Sequence, residues 1–172
     1  DMSVVIGIDF DMEATDYHQR WDFKNRGHDL TKNRSGSELL QMSLQDGSAP
    51  PLTATRTLGA LGGIVASRIA REYRFGGPSF TVSGDAASGL RALEIGVRSL
   101  QQKEVGTVLV GAVDISCDLR NILIADSIRP FSKETKIHPF DRRGMGTLPG
   151  EGAVALILKR LDRAIEDEDR IY

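Results

Sequence analysis

The chain has 172 residues, an apolar fraction of 40%, a charged fraction of 27% and a formal net charge of −2. That balance is typical of a globular protein able to bury a sizeable core, and it offers no general basic footprint for nucleic acid. A single cysteine excludes an internal disulfide and suits a reducing, cytoplasmic setting. The apolar runs are too short to form a membrane span.

In chain order, residues 3–8 (Ser-Val-Val-Ile-Gly-Ile) read as a buried strand, so the domain is expected to begin upstream of residue 1. Residues 9–22 are polar with aromatics and predict a loop leading into a helix. Residues 24–49 are rich in Asn, Gly, Ser and Lys and predict a mobile surface excursion with one or two helical turns. Pro50 and Pro51 mark the re-entry. Residues 58–73 predict one helix, whose Gly59, Gly62 and Gly63 are ascribed to close packing against another backbone. A β-prone stretch, residues 80–83, then turns straight into a second helix. Its apolar face is predicted at Ala86, Leu90, Leu93, Val97 and Leu100.

Residues 101–104 form a polar turn. Residues 107–113 are almost continuously apolar, as expected of a central parallel strand covered on both faces. Residues 121–128 are apolar but ambiguous between helix and strand. Residues 129–149 predict a loop, 153–158 another buried strand, and 161–167 a short helix. Strands alternating with helices predict an α/β fold with parallel pairing and right-handed crossovers.

The strand-to-helix junction is the most informative point. A side chain in the first turn of a helix lies by unpaired N–H groups and the positive end of the helix dipole, where a thiol would become reactive. Here that turn holds Gly84, Asp85, Ala86 and Ala87, none of them a nucleophile.

This junction and the segments around it resemble the β-ketoacyl synthase family. Gly77-Pro-Ser-Phe-Thr-Val82 is similar to the strand before that family's active-site cysteine, and counting from Gly77 places the cysteine position on Ala86. His138-Pro-Phe-Asp141, Gly146 and Gly150-Glu-Gly-Ala153 resemble its Pro-Phe-Asp…Gly-Glu-Gly segment. Leu158-Lys-Arg-Leu161 with Asp169-Arg-Ile-Tyr172 resembles a third block, with Glu168 where glycine is usual. Gly63-Ile-Val-Ala-Ser-Arg-Ile69 is similar to the helix preceding the nucleophile strand. The wording of residues 50–57, 58–65, 71–77 and 111–114 is closest to chain-length-factor-like ketosynthase domains of polyunsaturated fatty acid and iterative polyketide synthases.

The resemblance implies a thiolase-like layered fold, of which residues 1–172 form mainly the N-terminal half of a ketosynthase-like domain. It also implies that the family's catalytic histidines lie in a second half with no counterpart here. Such a domain carries no catalytic residue of its own. It pairs with an active ketosynthase, as a hetero- or homodimer, in fatty acid or polyketide elongation. No cofactor is expected to be bound; phosphopantetheine belongs to a partner acyl carrier protein. The strand at Ser79, Phe80, Thr81 and Val82 is the expected dimer contact. Asp85, Ala86, Ser88, Gly150 and Glu151 are the candidates to line the substrate tunnel or adjoin the site. The departures at Gly84 and Asp85 favour a naturally degenerate site over one replaced residue. Two alternatives stand beside this reading. One is a cysteine-less decarboxylase of malonyl carrier protein, and the other is a structural scaffold for carrier domains.

Each candidate also has a plain structural reading. Asp85 could act as a base near a thioester, but an Asp at a helix start is usually a cap or a partner of the helix dipole. Ser88 would need a base beside it, and no histidine is near in sequence. Cys117 follows a strand end, where sites are built, yet a lone cysteine is usually an inert small hydrophobe. His18, His28 and His138 are too scattered for a metal site, and His138 reads as structural. Gly144-Met-Gly146 and Gly150-Glu-Gly152 fit no phosphate-binding fingerprint, and Glu151 reads as a structural hydrogen-bonding carboxylate.

Overall fold

The computed structural model describes residues 1–8, 18, 20–22, 25, 37–48, 51, 53–115, 117, 119–134, 137–138 and 140–172. The chain divides into two compact units, Asp1–Asp9 with Val65–Tyr172, and Phe10–Ile64.

The first unit is built on a four-stranded sheet in the order β2-β1-β3-β4, with β1 at Met2–Gly7, β2 at Ser79–Val82, β3 at Thr107–Asp114 and β4 at Gly152–Lys159. β1 pairs parallel with both β2 and β3, in the registers Val4–Ser79 and Met2–Thr107. Alternation along β1 sends its side chains into two cores. Val5 joins Val108 and Val110 beneath a helix at Ser88–Gln101, while Val4 and Ile6 join Ala66 and Ala70 of a helix at Ile64–Glu72. The result is a helix–sheet–helix sandwich.

Two expectations fail at the far edge. β4 runs antiparallel to β3, with Thr107 opposite Lys159 and Asp114 opposite Gly152, so the parallel alternation stops there. Nor is β4 buried: Val154 is 54% and Ile157 71% exposed. Its apolar composition shows that the strand suits cover, but among the described residues that cover reaches only its last part, from Leu158.

The helix predicted at 58–73 is two helices. We number the helices α1 (Ser37–Ser48), α2 (Ala54–Ala60), α3 (Ile64–Glu72), α4 (Ser88–Gln101), α5 (Leu119–Ile128) and α6 (Leu161–Glu166). α2 ends at Leu61, whose extended φ/ψ of −84°/97° breaks the ladder before Gly62 and Gly63. Among the described residues, a side chain at Gly59 or Gly63 would meet nothing within 4 Å, so no close packing is seen at these two positions. The ambiguous segment at 121–128 is helical, in α5.

In the second unit, α1 spans 12 residues, longer than the one or two turns expected within 24–49. The Arg20 guanidinium holds Asp46 at 2.7 Å and donates to the Gln45 carbonyl at 3.1 Å. α2 is capped by Thr53, whose hydroxyl accepts from the Arg56 N–H at 3.3 Å. Most of the loop expected at 9–22, and His28, lie outside the described residues.

Candidate functional site

The junction between β2 and α4 is a tight turn whose helix begins two residues later than the apolar spacing suggests. Ala87 is the N-cap, without a side-chain capping bond, and Ser88 is the first helical residue. Ala86, expected to open the helix at a buried position, instead lies exposed on the turn. The buried residue is Ser88, 5% exposed. Its hydroxyl accepts from the Gly84 N–H at 3.0 Å and donates to the Asp85 carbonyl at 2.6 Å. The serine therefore brackets the turn, as its structural reading held, and its oxygen is already engaged as both donor and acceptor.

Asp85 is not the helix cap. It occupies the left-handed region at φ 55°, three residues before the helix, and it is exposed. A non-glycine residue there is uncommon, and Asp is among those that tolerate it best.

α4 lies very close to the sheet. Its buried stripe is Ser88, Ala92, Gly96 and Leu100, spaced by four. A Cβ on Gly89 would come within 2.7 Å of the Ala112 methyl, one on Gly96 within 2.8 Å of Val110 Cγ2, and one on Gly7 within 2.5 Å of the Ser88 carbonyl group. Of the larger apolar residues predicted for the buried face, Leu100 is buried and Leu93 packs against the core, whereas Leu90 is 72% and Val97 38% exposed. Small residues at four-residue spacing were the signal that the apolar count overrode.

Beside the turn opens a cleft of about 580 Å3. Asp85, Ala86 and Asp114 contribute to its lining along with apolar groups such as Leu93, Val113 and Val154. Asp85, Ala86 and Ser88 thus share one cavity, whereas Gly150 and Glu151 do not line it. Glu151 has another role. Its Oε1 accepts from the Cys117 N–H at 3.1 Å, tying the residue before β4 to the segment after β3. This matches the structural carboxylate expected. Cys117 is half-buried and is not among the residues lining the cleft. Gly150 is exposed, with open space where a side chain would be. The cleft residues Asp114, Val113, Val154 and Leu156 were not among the site candidates, although residues 111–114 carry part of the resemblance; they come together only once β4 is known to run antiparallel to β3.

In the loop before β4, the His138 carbonyl accepts from the Asp141 N–H at 3.1 Å. Arg143 clasps the Asp141 carboxylate at 2.8 Å and holds it below the usual carboxylate range. These contacts make His138 part of a turn. Among the described residues, no three His, Cys, Asp or Glu side chains are placed to hold a metal ion, and no helix is long and apolar enough to cross a membrane.

Ser79, Phe80, Thr81 and Val82 form β2, an outer strand of the sheet. Pro78 and Val82 offer their carbonyls to the Val4 and Ile8 N–H groups of the neighbouring segment. By the two-residue period, the backbone groups of Ser79 and Thr81 point to the open side.

Comparison with known proteins agrees with this architecture. The family model for the β-ketoacyl synthase N-terminal domain matches residues 4–164. A highly reducing polyketide synthase, cm3B of Cordyceps militaris, is 35% identical over 131 residues, which are 76% of this chain and 5% of that protein. Among solved structures, the PfaC keto synthase-chain length factor superposes with a TM-score of 0.83 at 25% identity, over 95% of this chain and 18% of that one. The ishigamide ketosynthase/chain length factor shares the fold at a TM-score of 0.56 and 19% identity, over 94% of this chain and 36% of that one. The chain therefore spans a small part of the relatives it matches. With a thiolase-like α/β sandwich and a family match along nearly its whole length, the chain belongs to the β-ketoacyl synthase family and represents the N-terminal part of its domain.

Proposed function

We propose that this domain is a non-catalytic, chain-length-factor-type partner of an active ketosynthase in fatty acid or polyketide elongation. One observation carries the reading. The position that the sequence resemblance assigns to the family's nucleophilic cysteine holds the exposed methyl group of Ala86, and the hydroxyl two residues on, that of Ser88, is buried and bonded on both sides. The similarity to the PfaC keto synthase-chain length factor supports it. Shaping a product requires surface and volume rather than a nucleophile. In this reading the active ketosynthase pairs along β2, an acyl carrier protein brings the growing chain on its phosphopantetheine arm, and the assembly works in the cytoplasm.

The test is direct. The full-length protein, given an acyl thioester and then a malonyl carrier protein, should show no acyl adduct on this domain by intact and peptide mass analysis. It should also release no carbon dioxide without its partner ketosynthase. An adduct on Cys117 or Ser88 would overturn the non-catalytic assignment. Carbon dioxide release by this domain alone would make it a cysteine-less decarboxylase instead.

A further inference from the structure

Among the described residues, the guanidinium groups of three arginines in and just beyond α3 have no hydrogen-bond or ionic partner. Arg68 and Arg71 are three residues apart, and Arg74 follows the helix end in the left-handed region at φ 56°. All three are exposed. The other face of α3 is anchored, with Ala66 and Ala70 buried against β1. The segment after the helix is also fixed. The Phe75 N–H donates to the Ala70 carbonyl at 2.8 Å, the Gly77 N–H donates to the Met2 carbonyl at 3.0 Å, and Tyr73 stacks on Phe75 at 5.6 Å between ring centres. Tyr73 remains 67% exposed. Two residues after Gly77 the chain enters β2.

Resting on the proposed pairing along β2, we infer that Arg68, Arg71, Tyr73 and Arg74 extend that interface and receive carboxylates of the partner ketosynthase. A four-residue edge strand is about 13 Å long. Alone it cannot supply the roughly 800 Å2 per partner of a stable interface, so the contact must continue onto neighbouring surface. The chain leading into β2 offers arginine and tyrosine, the residue types enriched in interface hot spots. Three guanidinium groups, unpaired among the described residues and held on a rigid support, select an acidic surface. Nucleic acid fits less well, because the chain is net negative and its high-affinity binding usually engages six or more phosphates.

The test measures association of the full-length protein with the ketosynthase of the same synthase at two salt concentrations. Arg68→Glu, Arg71→Glu and Arg74→Glu combined should lower the association rate about tenfold at low salt. The gap should close at high salt, with melting behaviour unchanged. The Arg→Lys triple should keep most of the rate, because the charge is retained. If the wild type binds but the glutamate variant associates at the same rate with the same salt dependence, this inference falls and the pairing stands. If the wild type does not bind the ketosynthase at all, the pairing itself falls, and this inference with it.

Discussion

The Ser88 hydroxyl donates to the Asp85 carbonyl at 2.6 Å, across the turn that joins β2 to α4. The same oxygen accepts from Gly84, so one buried side chain fixes the backbone of a turn that no other side chain caps. Ser88→Ala should therefore cost about 1–3 kcal/mol, since it leaves the Gly84 N–H without its acceptor. Urea unfolding of the full-length protein checks this. An unchanged midpoint would show that the turn holds without the serine.

Gly7 of β1 lies against α4 and Gly96 on the buried face of α4 itself, yet alanine should affect them differently. At Gly7 the new methyl would meet the Ser88 backbone at 2.5 Å, and backbone on both sides leaves little room to adjust. A loss of about 3 kcal/mol is expected. At Gly96 the obstacles are Val110 and Val108 methyl groups at 2.8 and 3.2 Å, which can shift. The gain in helix propensity, about 1 kcal/mol, offsets much of that strain. Comparing the two denaturation midpoints decides it; equal losses would contradict the packing described.

These contacts also show what was legible in the sequence. β1 and β3 were readable because they are buried on both faces, and buried strands are continuously apolar. The turn at 84–87 was readable because β-prone residues give way abruptly to a helical pattern. The buried side of α4 is legible only in part: Leu93 and Leu100 face the core as their spacing suggests, whereas closeness to the sheet selects small residues such as Ala92 and Gly96 in place of Leu90 and Val97. β4 looked buried for the same reason that its exposure is notable: Val154, Leu156 and Ile157 are apolar, and composition cannot report which faces are covered. Its antiparallel direction depends on long-range pairing that no local pattern encodes. The cleft beside Ala86 depends on that pairing too, so only its rim at Asp85, Ala86 and Ser88 could be anticipated.

Lys159, near the end of β4, holds Asp167, and its Nζ lies 2.6 Å from the Asp169 carboxylate. The hydrogen bond from Lys159 lowers the Asp167 pKa, while those to Asp167 and then Asp169 raise that of Lys159. The Asp167 contribution is present above its unfolded value of about 3.9 and is lost as pH falls through the lower folded value. The Lys159 contribution is present below about 10.4 and is lost as pH rises through the higher folded value. Asp167→Asn should therefore lower the melting temperature between these limits and make little difference at either extreme. A melting-temperature difference that stays constant from strongly acidic to strongly alkaline pH would contradict the ion pair's role.

Thr81 sits on the open side of β2 by register, with its backbone groups directed away from β1. Thr81→Pro removes one outward N–H without removing a β1–β2 bond. It should weaken association with the proposed partner ketosynthase at least tenfold while the circular dichroism spectrum stays unchanged. Binding at wild-type strength would remove β2 from the interface.

The proposed role of this domain is to set product length without performing chemistry. It is tested most directly by exchanging the domain for its counterpart from a synthase with a different product, leaving the active ketosynthase in place, and measuring product chain length by mass spectrometry. The length is expected to follow the exchanged domain. Products of unchanged length, formed at an unchanged rate, would contradict it.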